Sequence, residues 1–144
     1  MKVIAIIPAR MGSSRFPGKP MYPLLDIPMV GHCYFRTSMA IGSTETYVAT
    51  CDKLIADYVT SIGGKVVITA DTHNRATERT AEALNKIEAD NGSIVETVVM
   101  VQGDEPLIPK SAIAETVKHF DESEVEIVNI MSRFRNQKQF EDKN

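Results

Sequence analysis

Short apolar runs rich in valine and isoleucine alternate with stretches of helical period along this 144-residue chain, and that alternation restricts the fold more than any other feature. Residues 3–7 are almost continuously apolar, the pattern of a strand buried on both faces. Residues 29–41 set Val30, Cys33, Tyr34, Thr37 and Ile41 on one helical stripe, which Gly42 ends. A second strand is expected over residues 45–50. Asp52 then stands as N-cap for a helix carrying Leu54, Ile55, Tyr58, Val59 and Ile62, stopped by Gly63-Gly64. Residues 65–68 predict a third strand, and a polar loop over 69–76 leads into a helix with Ala76, Thr80, Ala83, Leu84 and Ile87 on one face. Residues 97–101 form the fourth strand. Pro109 suits the first turn of the next helix, whose buried stripe is Ile113, Val117 and Phe120. Residues 126–131 predict a fifth strand. The order βαβαβαβαβ implies an α/β fold, a mostly parallel sheet with helices on both faces and ligands at the carboxyl ends of the strands.

Charge is unevenly placed. The chain has 16 Lys and Arg against 19 Asp and Glu, yet Lys2, Arg10, Arg15 and Lys19 all precede the first acid, Asp26. A basic opening on an acidic body fits a compact anion site and argues against nucleic acid as a partner, which would spread cations over a whole face. No apolar run approaches the roughly 20 residues of a membrane span, so no membrane partner is expected. Cys33 and Cys51 are too few for a disulfide framework, lack metal-ligand spacing and read as core residues. A cytoplasmic location is the expectation.

The densest chemistry follows the first strand, in Pro8-Ala9-Arg10-Met11-Gly12-Ser13-Ser14-Arg15-Phe16-Pro17-Gly18-Lys19-Pro20. Gly12 and Gly18 permit tight backbone geometry, and the amides around Gly12, Ser13 and Ser14 can converge on an anion. Arg10, Arg15 and Lys19 supply three cations, the arginines with planar multi-donor recognition of phosphate oxygens. The segment is not a Walker A loop, because five residues separate Gly12 from Gly18 and Pro20 follows Lys19. It is not a G-x-G-x-x-G dinucleotide loop either. A solvated basic turn is the alternative; three cations among glycines and prolines at a strand end weigh against it. The second signal is Val101-Gln102-Gly103-Asp104-Glu105-Pro106, which puts Asp104 at the carboxyl end of a buried strand. A carboxylate facing a phosphate-rich ligand repels it unless a divalent cation lies between, and Mg²⁺ commonly uses one or two protein carboxylates. Asp104 is therefore the expected metal ligand, with Glu105 as a helix-start or solvated charge.

Taken together, IPARMGSSRFPGKP, ATERTAEA and VQGDEPLIP resemble the 3-deoxy-manno-octulosonate cytidylyltransferase (CMP-Kdo synthetase) family over residues 1–120. The resemblance implies a nucleotide-diphospho-sugar transferase (Rossmann-like) fold. It also implies Mg²⁺-dependent coupling of CTP to a 3-deoxy-2-ketosugar acid, giving CMP-sugar and pyrophosphate for lipopolysaccharide or related polysaccharide synthesis. In this sequence Ala9, Arg10, Gly12, Ser13, Ser14, Arg15 and Lys19 then correspond to the triphosphate loop, and Arg10, Lys19 and Asp104 to the catalytic set. Gln102 faces nucleotide or sugar; Arg75, Ala76 and Thr77 read the cytosine, largely through backbone groups, with Arg79 as a nearby polar contact to substrate. His73 stands in the base-side loop. Two departures stand out: Arg75-Ala76-Thr77 occupies the place of the family's Ser-Gly-Thr, and family members continue beyond Asn144. Residues 1–132 are accordingly expected to form a nucleotide-binding α/β domain, and 133–144 a polar tail or the start of a missing C-terminal portion. A homodimer or a complementing C-terminal chain is a possible partner. The alternatives are another sugar nucleotidyltransferase and a truncated, non-catalytic nucleotide-binding fragment.

Overall fold

Four parallel strands form the spine of the protein, seen here in a computed structural model that describes residues 2–12, 16–121, 124–131, 133, 135–137 and 141. Strand β1 (Val3–Pro8) is followed by a small antiparallel hairpin, β2 (Pro23–Leu24) and β3 (Ile27–Pro28), and by helix α1 (Met29–Ile41). Then come β4 (Thr46–Thr50), α2 (Lys53–Ser61), β5 (Lys65–Ile68), α3 (Ala76–Asn91), β6 (Thr97–Met100) and α4 (Lys110–Lys118). The main sheet has the order β5-β4-β1-β6. Ala5 pairs with Thr46 on one side and Val99 on the other, so β1 is central.

The period-two alternation of β1 decides which helix packs where. Ile4 and Ile6 join Tyr47, Ala49, Ala83, Ile87 and Val95 in the layer beneath α3. Ile7 turns the other way, into a layer with Val30, Cys33 and Tyr34 of α1, Ile55 and Val59 of α2 and Ile113 of α4. Both faces of the sheet are thus covered, as the near-continuous apolar run in β1 requires. Burial pushes the Cys33 thiol up to about 11, which makes it a packing residue. Cys51 is only half-buried, at the exit from β4. No helix is long and apolar enough to cross a membrane among the described residues.

Connections out of β1 run through α1 to β4 and on to β5, whereas α3 returns the chain to β6 on the opposite side of β1. The crevice between the carboxyl ends of β1 and β6 is therefore a topological switch point, the usual place for a ligand in an open parallel sheet.

Two elements differ from the sequence reading. Residues 126–131 form no strand; Ile127, Ile130 and Met131 are exposed, and among the described residues β6 has a strand partner only on its β1 side. Apolar alternation over six residues satisfies the periodicity of a strand, but a strand exists only where an edge pairs with it. The β2–β3 hairpin is the reverse case. Its tip, Leu25-Asp26, has positive φ at both positions (48° and 66°); Asp tolerates that backbone form but Leu does not announce it, so the turn was weakly signalled. His32 anchors the hairpin to α1, with Nε2 2.7 Å from the Leu24 carbonyl oxygen.

Candidate active site

The segment after β1 is tied down from three directions. Ala9 N–H continues the β1–β4 ladder to the Ala49 carbonyl at 3.0 Å. Met11 N–H donates to Asp52 Oδ2 at 2.8 Å. The Met11 carbonyl in turn accepts from Gly18 N–H at 3.1 Å, closing the loop on itself. Gly18 sits at φ +76°, where a side chain is strained, and opens the single 3₁₀ turn Lys19–Met21. Asp52 occupies the N-cap position of α2, as its place in the sequence suggests, but makes no capping hydrogen bond. Its carboxylate holds the loop instead, which corrects the expected role.

From that turn, Lys19 Nζ reaches Asp104 Oδ2 at 2.7 Å. Asp104 is carried by a turn after β6 in which Glu105 N–H bonds the Gln102 carbonyl at 3.2 Å. This turn lies close against the end of β1: a Cβ on Gly103 would fall 2.7 Å from the Pro8 carbonyl oxygen and 3.3 Å from Ala9 Cβ. Glycine at 103 is what lets the two strand ends approach. The side chains of Lys19 and Asp104 are 34% and 50% exposed. An ion pair that open to water contributes about 0–1 kcal/mol, so an anionic ligand can compete for the lysine.

The far wall is the loop between β5 and α3. Glu82 Oε2 accepts from Ala70 N–H at 2.9 Å and lies 2.5 Å from His73 Nε2, while Oε1 meets Lys86 Nζ at 2.7 Å. Lys86 foremost, then the Ala70 N–H and His73, lower the Glu82 carboxyl to about 2. Glu78 Oε2 accepts from the N–H groups of Asn74 and Arg75 at 3.2 Å each, which closes the first turn of α3. Arg10 Nη1 crosses from the opposite wall to the His73 carbonyl at 3.2 Å.

These three segments enclose a cleft of about 700 Å³, in the range of small-molecule sites. Of the residues singled out in the sequence, the structure brings Ala9, Arg10, Gly12, Lys19, Arg75, Ala76, Arg79, Gln102 and Asp104 to its walls. Asp104 is the one carboxylate among its described lining residues. Ser13, Ser14 and Arg15 lie outside the described residues. Thr77 is not part of the wall: it is exposed on the first turn of α3, rotated away from Ala76 by the helix's own period. Arg79 reaches the wall but is 2% exposed, with Nη1 bonded to Thr69 Oγ1 and, at 3.1 Å, to the Ala70 carbonyl. Its Nη1 braces the loop, while its Nη2 is buried without a partner among the described residues.

Lining residues outside the predicted site set are Pro8, Phe16, Pro20, His73, Asn74 and Gly103. His73 stands in the base-side loop in the sequence reading as well, outside the assigned site set; Gly103 has no local signal, because its constraint comes from Pro8, distant in sequence.

Residues 4–144 match the model of a family described as Cytidylyltransferase. Among curated proteins, the chain is 45% identical over 121 residues to the 8-amino-3,8-dideoxy-manno-octulosonate cytidylyltransferase of Shewanella sp. (strain W3-18-1), covering 84% of this chain and 48% of the relative. It is 45% identical over 117 residues to the 3-deoxy-manno-octulosonate cytidylyltransferase of Geobacter metallireducens, covering 81% and 44%. Among solved structures it resembles CMP:2-keto-3-deoxy-manno-octonic acid synthetase complexed with CTP, with a TM-score of 0.78 and 33% identity over 87% of this chain and 50% of that one. The chain spans about half the length of the curated relatives it matches.

Proposed function

Because the chain belongs to the Cytidylyltransferase family, we propose that its cleft binds CTP and serves the transfer of CMP to a 3-deoxy-2-ketosugar acid of the manno-octulosonate type. In that reaction the anomeric hydroxyl oxygen of the sugar acid bonds to the α-phosphorus of CTP. The bond from that phosphorus to the β-bridging oxygen breaks, pyrophosphate leaves, and the hydroxyl proton passes to solvent. The observation that carries the reading is the meeting of Arg10, Lys19 and Asp104 in one cleft at the switch point of the sheet.

The protein's part is positioning and charge. Lys19 and Arg10 lie where they can neutralise the β- and γ-phosphates, and Lys19 is free to exchange its exposed carboxylate partner for phosphate. Residues 73–76 wall the opposite side, where the base belongs, and their backbone groups offer donors and acceptors to its edge. Asp104 also suits a magnesium ion, being half-exposed and the single acidic lining residue described. No group of three or more His, Cys, Asp or Glu comes together among the described residues, so of these Asp104 is the acidic ligand, with phosphate and water to fill positions in the shell. Asp104 would hold that ion, which when bound withdraws charge from phosphoryl oxygens.

Isothermal titration of this chain with CTP, UTP, GTP and TTP in magnesium tests the nucleotide part, with CTP expected to bind tightest. Pyrophosphate release in the presence of CTP and manno-octulosonate sugar acids tests the transfer. Binding of a purine triphosphate in preference to CTP would overturn the assignment of the base.

A further inference from the structure

Arg10 projects from an exposed loop position, yet its guanidinium is held, through Nη1, by the carbonyl of His73 on the other side of the cleft. A neutral carbonyl restrains a guanidinium without cancelling its charge, and it leaves the remaining N–H donors for a ligand. Lys19, tied to a carboxylate, is held in the opposite manner.

The carbonyl is itself fixed. One carboxylate oxygen, Glu82 Oε2, accepts from the Ala70 N–H and contacts His73 Nε2, so a single atom on α3 staples both ends of the turn 70–73. The other oxygen is held by Lys86, one turn further along α3. Lys86, the Ala70 N–H and His73 lower the Glu82 carboxyl, which keeps it a charged acceptor throughout the neutral range. Glu82 does not line the cleft; its effect there passes through His73 and Arg10.

We propose that Glu82 is a positioning residue: by stapling Ala70 and His73 it presents the His73 carbonyl to Arg10 and pre-aims the guanidinium at the polyphosphate site. The proposal rests on the nucleotide reading above. A pre-aimed arginine loses less side-chain freedom when an anion arrives, so the staple contributes to affinity although it touches no ligand.

The experiment uses inorganic tripolyphosphate and the variants Glu82→Gln, Arg10→Ala and the two combined. Gln is similar in shape, but its N–H₂ cannot accept from Lys86 and its neutral carbonyl is a weaker acceptor for the Ala70 N–H and His73 than the carboxylate. NMR of the Arg10 Nε–H group in the free chain should show a restrained guanidinium in the wild type and a mobile one in Glu82→Gln. Tripolyphosphate affinity should fall about fivefold in Glu82→Gln, and the double variant should bind no more weakly than Arg10→Ala alone. Equal Arg10 mobility in wild type and Glu82→Gln, or a Glu82→Gln loss that adds in full to that of Arg10→Ala, overturns the proposal. If the wild type binds no tripolyphosphate while Glu82→Gln still frees Arg10, the nucleotide reading falls and the staple stands. Should Glu82→Gln fail to fold, His73→Gln and His73→Leu replace it. The first retains a donor to Glu82 and keeps Arg10 restrained; the second frees it, and equal restraint in both overturns the staple.

Discussion

Lys19 and Asp104 stand 85 positions apart in the chain, and their Nζ and Oδ2 atoms lie 2.7 Å apart in the cleft. The contact exists because β1 and β6 are parallel neighbours in the sheet, with Met100 paired to Ile6, so both run out toward the same crevice. It also makes Asp104 ambivalent toward a phosphate ligand: alone it repels the anion and occupies the lysine, whereas bridged by a divalent cation it attracts.

Opposite signs of effect therefore follow for Asp104→Asn. With divalent cations chelated, the variant should bind tripolyphosphate about fivefold more tightly than the wild type, since a repulsion is removed and Lys19 is freed. In magnesium the wild type should gain affinity and the variant should not. Calorimetric titration in the two buffers checks both signs. A variant that is weaker in chelator, or that still gains from magnesium, refutes the assignment of Asp104 as metal ligand.

Asp52 is expected to matter through the loop and not through helix capping. Asp52→Ala leaves the Met11 N–H without its acceptor, a loss of about 1–3 kcal/mol where that group is shielded from water. Urea unfolding should register that loss, and tripolyphosphate affinity should fall with it. A stability loss at unchanged affinity would mean that the anchor does not shape the site.

How much of this was legible in the sequence depends on the distance over which each constraint acts. Helix α1 spans residues 29–41 and β5 residues 65–68, as read, because their stripes and glycine stops are local. The cations after β1 were visible for the same reason. Residues 126–131 misled because their apolar alternation is also local, while strand formation requires a partner edge. The role of Asp52 was hidden because an N-cap position and a loop anchor look alike until Met11 is brought within 2.8 Å. Glu82 drew no reading from the sequence, because its meaning lies in a loop that folds back over its own helix.

Gly103 offers a steric test of the switch-point geometry. Gly103→Ala places a methyl group 2.7 Å from the Pro8 carbonyl oxygen, a backbone atom that can yield only by moving β1. A destabilisation of about 1–3 kcal/mol is expected, together with weakened anion binding in magnesium, as the turn carrying the metal-binding Asp104 is displaced. Gly92→Ala provides the contrast, because a methyl group there meets nothing within 4 Å and only its backbone conformation (φ +61°) resists it. Thermal unfolding of both variants beside their tripolyphosphate affinities separates the two effects: Gly92→Ala should lose stability alone.

The last prediction concerns pH. The Glu82 carboxyl is lowered from its ordinary 4.5 to about 2 by Lys86, the Ala70 N–H and His73. A depressed carboxyl contributes stability that is fully present above its unfolded-state value and is lost as pH falls through the folded value. The difference in unfolding free energy between wild type and Glu82→Gln should thus be flat from neutral pH down to about 4.5, then shrink, with most of the charge-dependent part gone near 2. Urea titrations at intervals across that range measure it directly. A gap that persists unchanged near pH 2 would show that the charge on Glu82 does not hold the turn, and that shape alone fixes the loop facing Arg10.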